Sequence, residues 1–210
     1  MARRPPVFLA WLIGFFGLCS TVLAQEPVTA AERLQAQLDG LTSYDASFVQ
    51  TTYDSDDFVL DEQSGSLRFA RPGKLRWESE APFKQILVSN GDHIYLYDPD
   101  LRQVTLRQWS NDPAENPAAV FVSGTPIETY FAISAVGEAS RFILTPQDVS
   151  STMSSIEIYF EAGLLRGMTL RDRLGQTTTV QFSDVQVNTA IDDAVFLFDI
   201  PDGVEVIADG

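Results

Sequence analysis

The 210-residue sequence is poor in the side chains on which most enzymes rely. It holds one histidine, His93, and one cysteine, Cys19. It contains no Gly-x-Ser-x-Gly elbow, phosphate-binding glycine loop or His-rich metal spacing. Basic side chains are scarce as well, with 14 Lys and Arg against 29 Asp and Glu. A surface with that balance repels nucleic acid phosphates and anionic lipid head groups. Repeats, linkers and low-complexity segments are also missing.

What is present begins with a leader. Arg3-Arg4, a charge-free run from Pro5 to Leu23 and small residues around Ala24 describe a secretory signal peptide over residues 1–24. An uncleaved membrane anchor is the alternative, because the run approaches spanning length. The small-residue site and the acidic sequence beyond it favour cleavage. Cys19 follows Phe16-Gly17-Leu18, and Leu18 is too large for the position before a lipid-modified cysteine. Cys19 therefore belongs to the leader, and a mature chain from Gln25 has no disulfide, thiol nucleophile or thiolate metal site.

Without the leader, 186 residues remain, which suits a single domain over 25–210. They carry 12 basic and 29 acidic side chains, a net charge of −17. Solubility or a salty habitat accounts for this. It also fits a protein that touches lipid without staying on a membrane, or one that docks on basic partner surfaces.

Thr29-Ala30-Ala31-Glu32 has capping-box spacing, and Leu34, Leu38 and Leu41 recur at helical intervals. One long helix is expected from Thr29 to Thr42. The period then changes from 3.6 to 2. Segments at 44–53, 58–61, 66–71, 75–80, 84–89, 93–97 and 101–109 read as strands separated by short turns. Asn90-Gly91 is the strongest hairpin signal. Two short helices are expected in the middle, around Ala118 to Val122 and over Ile127 to Ile133, as a lid or a core plug. Strands resume at 141–144, 155–160, 165–172, 176–184 and 195–198. The absence of β-α-β alternation argues against a doubly wound fold. The fold class is mainly β with an α lid: an unclosed antiparallel barrel of about 10–11 strands, covered by the N-terminal helix and the short central ones.

The stretch Gly65 to Trp77 sets a puzzle. Leu67, Phe69 and Arg71 share one strand face, as do Leu75 and Trp77 after the Pro72-Gly73 break. Lys74, Arg76 and Glu78 take the other face. A guanidinium at the end of an apolar face needs specific acceptors.

Catalytic candidates are thin. His93 shares a strand face with Tyr95 and Tyr97, and a lone strand histidine is most simply a surface residue. Asp54, Asp56 and Asp57 lack the glycine and remaining ligands of a calcium loop, so they read as a solvated turn. No role-complete site exists, so the chain reads as a non-enzyme with no cofactor and no metal. Its apolar strand faces are extensive, while its helices are few for filling a concave sheet. A hollow, ligand-sized apolar interior follows.

Several motifs resemble one family in order: Ala46-Ser47-Phe48-Val49-Gln50, Gly65-Ser66-Leu67, and Arg71-Pro72-Gly73-Lys74-Leu75-Arg76-Trp77 with Pro82. Ile86-Leu87-Val88-Ser89-Asn90-Gly91, Tyr97-Asp98-Pro99 and Leu101-Arg102-Gln103-Val104 continue the likeness. Leu144-Thr145-Pro146, Asp172 with Gly175-Gln176, and Phe196-x-Phe198-x-x-Pro201-x-Gly203-Val204 complete it. Together they are similar to the periplasmic outer-membrane lipoprotein carriers, the LolA family.

The resemblance implies an unclosed barrel holding lipoprotein acyl chains, loaded by an inner-membrane ABC transporter and emptied onto a LolB-like outer-membrane receptor. It implies a periplasmic, monomeric carrier in which Arg71 hydrogen-bonds lid backbone and holds the empty form shut. Leu75 stands where the family often has an aromatic. The chain stops soon after Val204, so the C-terminal extension of some members is expected to be short or absent.

The cavity and lid walls it points to are Phe48, Leu67, Phe69, Leu75 and Trp77, with Ile86, Val88, Ile94 and Leu96. Phe121, Tyr130 and Phe131 follow in the middle, then Phe142, Ile158, Phe160, Met168 and Phe182. The alternative is a lipid-sensing module of the same fold in a periplasmic stress-response regulator. Those carry a second domain, for which 186 residues leave no room. An outer-membrane receptor would need a lipobox.

Overall fold

The computed structural model describes residues 28–113, 118–137 and 140–208. The expected signal peptide and Cys19 lie outside these residues. The capping box forms at Thr29, whose hydroxyl accepts from the Glu32 amide while the Glu32 carboxylate accepts from the Thr29 amide. The helix it starts, α1 (Ala30–Asp39), has only 10 residues, not the long element expected to reach Thr42. The terminator comes from far away in sequence. Asn188 donates Nδ2 to the Gly40 carbonyl, and its Oδ1 accepts from the Thr42 amide. Those groups are unavailable for another helical turn, and β1 begins at Ser43.

Strands β1 (Ser43–Tyr53), β2 (Val59–Ala70) and β3 (Lys74–Ala81) come first. They are followed by β4 (Gln85–Asn90), β5 (His93–Asp98) and β6 (Gln103–Gln108). After α2 (Ala119–Val122) come β7 (Phe131–Val136), β8 (Arg141–Pro146) and β9 (Met153–Glu161). β10 (Leu164–Asp172), β11 (Thr177–Val187) and β12 (Glu205–Ala208) complete the set. All twelve belong to one sheet in the order β12-β6-β5-β4-β3-β2-β1-β11-β10-β9-β8-β7. Neighbours are antiparallel except β12 and β6. The ends β12 and β7 do not pair, so the curved sheet is unclosed.

The strands differ from the expected set for identifiable reasons, two segments being lost as separate strands and two being gained. Segments 58–61 and 66–71 are parts of the single strand β2. Only Ile127–Thr129 of the expected second central helix is helical, as one 3-10 turn. The rest becomes β7, where Phe131, Ile133 and Ala135 alternate inward against Pro146, Leu144 and Phe142 of β8. The segment 195–198 is no strand: Asp193–Phe196 is a 3-10 turn. The end of the chain supplies a short parallel strand, β12.

Cross-strand register gathers one apolar face. Tyr44 of β1 sits opposite Phe69, Ala46 opposite Leu67, and Phe48 opposite Phe182 of β11. Met168 pairs with Val180 and Ile158, and Ile158 pairs with Phe142. These side chains form one core cluster beneath α1, with Leu34 and Leu38 buried. Rings lock it together: Tyr44 stacks on Phe69 at 5.2 Å, and Phe142 meets Phe160 edge-on at 6.1 Å. The Tyr44 hydroxyl donates to the Leu165 carbonyl at 2.9 Å, which satisfies a fully buried polar atom.

Glycine is required where strands meet most closely. A Cβ on Gly65 would lie 1.8 Å from the Glu78 carbonyl oxygen. Gly73 has φ +71°, and a Cβ there would approach the Gly91 Cα to 3.0 Å.

Candidate functional site

The turn between β2 and β3 places Arg71 at one end of the concave face. Its backbone amide donates to the Thr42 carbonyl, and the Gly73 amide donates to the Val122 carbonyl at 3.0 Å. These bonds tie the turn to the C-terminus of α1 and to α2. The guanidinium adds two more: Nε donates to the Phe121 carbonyl at 2.7 Å, and Nη1 reaches Asp39 Oδ1 at 3.0 Å. The Phe121 carbonyl belongs to the last turn of α2, where carbonyls lack intrahelical partners. The Arg71 side chain is only 15% exposed. Burial pulls its pKa below the usual guanidinium value, and the Asp39 carboxylate opposes that shift.

Asp39 is itself held by Gln35, whose Nε2 donates to Oδ1 at 2.8 Å. The Gln35 Oε1 accepts from the Ile127 amide at 2.9 Å. A chain of polar contacts therefore joins α2, Arg71, α1 and the 127–129 turn.

Beneath α2 lies an apolar cavity of about 310 Å³. Leu75 and Trp77 of β3, Leu87 of β4 and Leu96 of β5 form one wall. Met168, Leu170 and Val180 form the facing wall, and Ala118 and Phe121 form the roof. The polar lining residues are Gln50, Gln85 and Thr178. Phe121 stacks on Phe69 at 6.2 Å, so the roof is continuous with the core.

Of the expected wall residues, Leu75, Trp77, Leu96, Phe121 and Met168 line this cavity. Phe48, Leu67, Phe69, Phe142, Ile158, Phe160 and Phe182 sit in the packed core behind it, with Phe48 against Trp77 at 4.3 Å. Tyr130 and Phe131 border a separate recess of about 100 Å³ with Asp112 and Met153. Ile94 is buried on the concave face, opposite Ser89, outside the lining.

Ile86 and Val88 require correction. Their cross-strand partners are Tyr97 and Tyr95, whose rings pack on Phe198 at 5.6 and 5.5 Å. They therefore face away from the cavity, toward the segment that follows β11. Both faces of β4 are covered here, so Ile86-Leu87-Val88 is apolar throughout and period 2 loses its power to assign a side. Leu87, opposite Trp77, is the one that points inward.

Among the described residues no group of three or more His, Cys, Asp or Glu could hold a metal ion. Asp54 instead accepts from the amides of Asp56 and Phe58, which closes its turn.

Residues 39–199 match the model of a family described as outer membrane lipoprotein carrier protein LolA. The chain belongs to the LolA family. An outer-membrane lipoprotein carrier protein of Chromohalobacter salexigens is 40% identical over 92% of this chain and 93% of its own. A namesake from Pseudomonas paraeruginosa is 37% identical over 85% of this chain and 87% of its own. In fold, a LolA superfamily crystal structure from Nitrosomonas europaea overlaps with a TM-score of 0.50 at 11% identity, over 80% of this chain and 97% of that one.

Four apolar lining residues of this LolA-family chain, Leu87, Ala118, Leu170 and Val180, are absent from the residues expected from sequence, and so are all three polar ones. Period-2 alternation carried a signal for each: Gln50 follows Phe48, Gln85 precedes Leu87, and Thr178 precedes Val180 on the same faces.

Proposed function

We propose that this protein is a periplasmic lipoprotein carrier whose cavity beneath α2 takes up acyl chains. After loss of the 1–24 leader it works as a single monomeric domain, without cofactor or catalytic step. It receives lipoproteins from an inner-membrane ABC transporter and hands them to a LolB-like outer-membrane receptor. Family membership supports the lipoprotein cargo. The observation that carries the mechanism is the bond from Arg71 Nε to the Phe121 carbonyl, which fastens an apolar roof over an apolar cavity.

Energetics explains the need for a latch. Burial of one CH₂ contributes about 0.8 kcal/mol, so a palmitoyl chain with about 15 of them gains roughly 12 kcal/mol gross. Three such chains would exceed any affinity compatible with release. A cavity of about 310 Å³ is at the low end of ligand sites. Cargo of that size must lift α2 and break the Arg71 contacts. Their re-formation on delivery offsets part of the binding energy. Arg71 thus tunes release more than uptake.

The test is native mass spectrometry of the protein purified from periplasm. Co-purifying diacyl or triacyl lipoproteins are expected. Recovery of soluble small molecules alone, or of nothing when lipoproteins are supplied, would overturn the reading.

A further inference from the structure

The cavity is apolar except for Gln50, Gln85 and Thr178, and these three are not scattered. β1 and β3 run toward the end of the sheet that carries the β1–β2 turn, while β4 and β11 start there. On β4, Gln85 lies nearer that end than Leu87. On β11, Thr178 lies nearer it than Val180, and Gln50 of β1 pairs with Val180. Leu75 and the Phe121 roof lie toward the opposite end, beside Arg71. On β4 and β11 the polar lining residue is thus the one nearer the β1–β2 end, so polar groups collect at that rim beside Leu170, which lies opposite Thr178, while the walls under α2 are apolar.

Among the described residues neither glutamine side-chain amide has a hydrogen-bond partner, whereas Thr178 Oγ1 lies 3.3 Å from Thr52 Oγ1. Gln50 is half-buried and Gln85 exposed. A primary amide supplies two N–H donors and a hydroxyl supplies one, whereas ester carbonyls can only accept.

We propose that Gln50, Gln85 and Thr178 form a collar that hydrogen-bonds the ester and amide carbonyls joining acyl chains to their head group. The ligand class is an acyl ester amphiphile. The collar orients it tails-first beneath α2, with the head group and attached peptide at the β1–β2 rim. This inference rests on the carrier reading and adds to it the part of the cargo that is recognised beyond its chains.

Trp77 lines the same cavity and provides the readout. A dipalmitoyl-glyceryl peptide and its dialkyl ether counterpart, which lacks the ester carbonyls, are titrated against tryptophan fluorescence. The unaltered protein is expected to prefer the ester by roughly tenfold, the effect of two modest hydrogen bonds. In the Gln50→Leu/Gln85→Leu variant the ratio should fall to about twofold or less. The near-isosteric Gln50→Glu/Gln85→Glu variant loses the donors and should lose the preference too, which separates donation from mere wetting of the rim. Equal binding of ester and ether by the unaltered protein overturns the collar while the carrier reading stands. Failure to bind either ligand overturns both.

Discussion

Arg71 donates its Nε–H to the main-chain carbonyl of Phe121 at 2.7 Å, across 50 positions of sequence. A side chain from the strand end thereby satisfies an orphan carbonyl of α2, and a buried guanidinium gains an acceptor. Each group would be costly alone in this half-buried place. The pairing fastens α2 over the sheet beneath it.

Replacing Arg71 by leucine removes the latch and leaves an apolar side chain among apolar neighbours. Arg71→Leu is expected to load lipoprotein but deliver it at least about tenfold more slowly, because one charge-assisted hydrogen bond is worth about 1.5–3 kcal/mol. Transfer from loaded carrier to purified receptor measures this. Delivery at the normal rate would sink the role assigned to Arg71.

Asp39 contributes less. Its side chain is 57% exposed, so its pair with Arg71 is worth at most about 1 kcal/mol and weakens in salt. Asp39→Asn should accelerate hydrogen exchange at the Gly73 amide, which is bonded to the Val122 carbonyl, by less than about fivefold. Raising salt should speed exchange in the unaltered protein toward the variant's rate. A larger effect than that of Arg71→Leu would reverse the ranking of the two residues.

Tyr44 should mark the alkaline limit of stability. Burial raises its pKa far above the ordinary value of 10.0, with Arg166 opposing the shift and Tyr159 adding to it. The fold therefore favours the protonated phenol. Its stabilisation is complete below about pH 10 and is lost as pH rises above that, because the unfolded chain ionises first. Tyr44→Phe should lower stability at neutral pH by about 1–2 kcal/mol and flatten the decline above pH 10. Denaturant unfolding at pH 7 and pH 11 checks both.

Gly65 is predicted to tolerate no side chain. A Cβ would meet the Glu78 carbonyl oxygen at 1.8 Å and the Phe48 ring at 3.0 Å, so β2 and β3 would have to part. Gly65→Ala should cost about 3 kcal/mol or more. Thermal unfolding within 2 °C of the unaltered protein, a span set by about 0.5 kcal/mol, would contradict the close approach.

Local chemistry made much of this architecture legible. The Thr29–Glu32 capping box, the Asn90-Gly91 hairpin and the alternation of Leu67, Phe69, Leu75 and Trp77 depend on neighbours a few residues away, and they appear where the sequence pattern puts them. The segment 127–133 misled because a proline before a short apolar piece resembles a helix start. Pairing with β8 decided for a strand instead, a tertiary contact with no local signature.

By itself, then, the sequence determined that the chain is a meander of half-buried strands, and that a cation stands at the end of an apolar face needing acceptors. Periodicity and the cost of an unpaired charge are local properties. Tertiary structure alone decided that α1 stops at Asp39, because its terminator Asn188 lies 148 positions beyond Gly40. It decided likewise that Leu87, not Ile86 or Val88, faces the cavity, because the chain after β11 covers the other side. The acceptor for Arg71 was of the same kind: the charge was legible, but the Phe121 carbonyl became its partner only when the sheet curved and brought α2 across it.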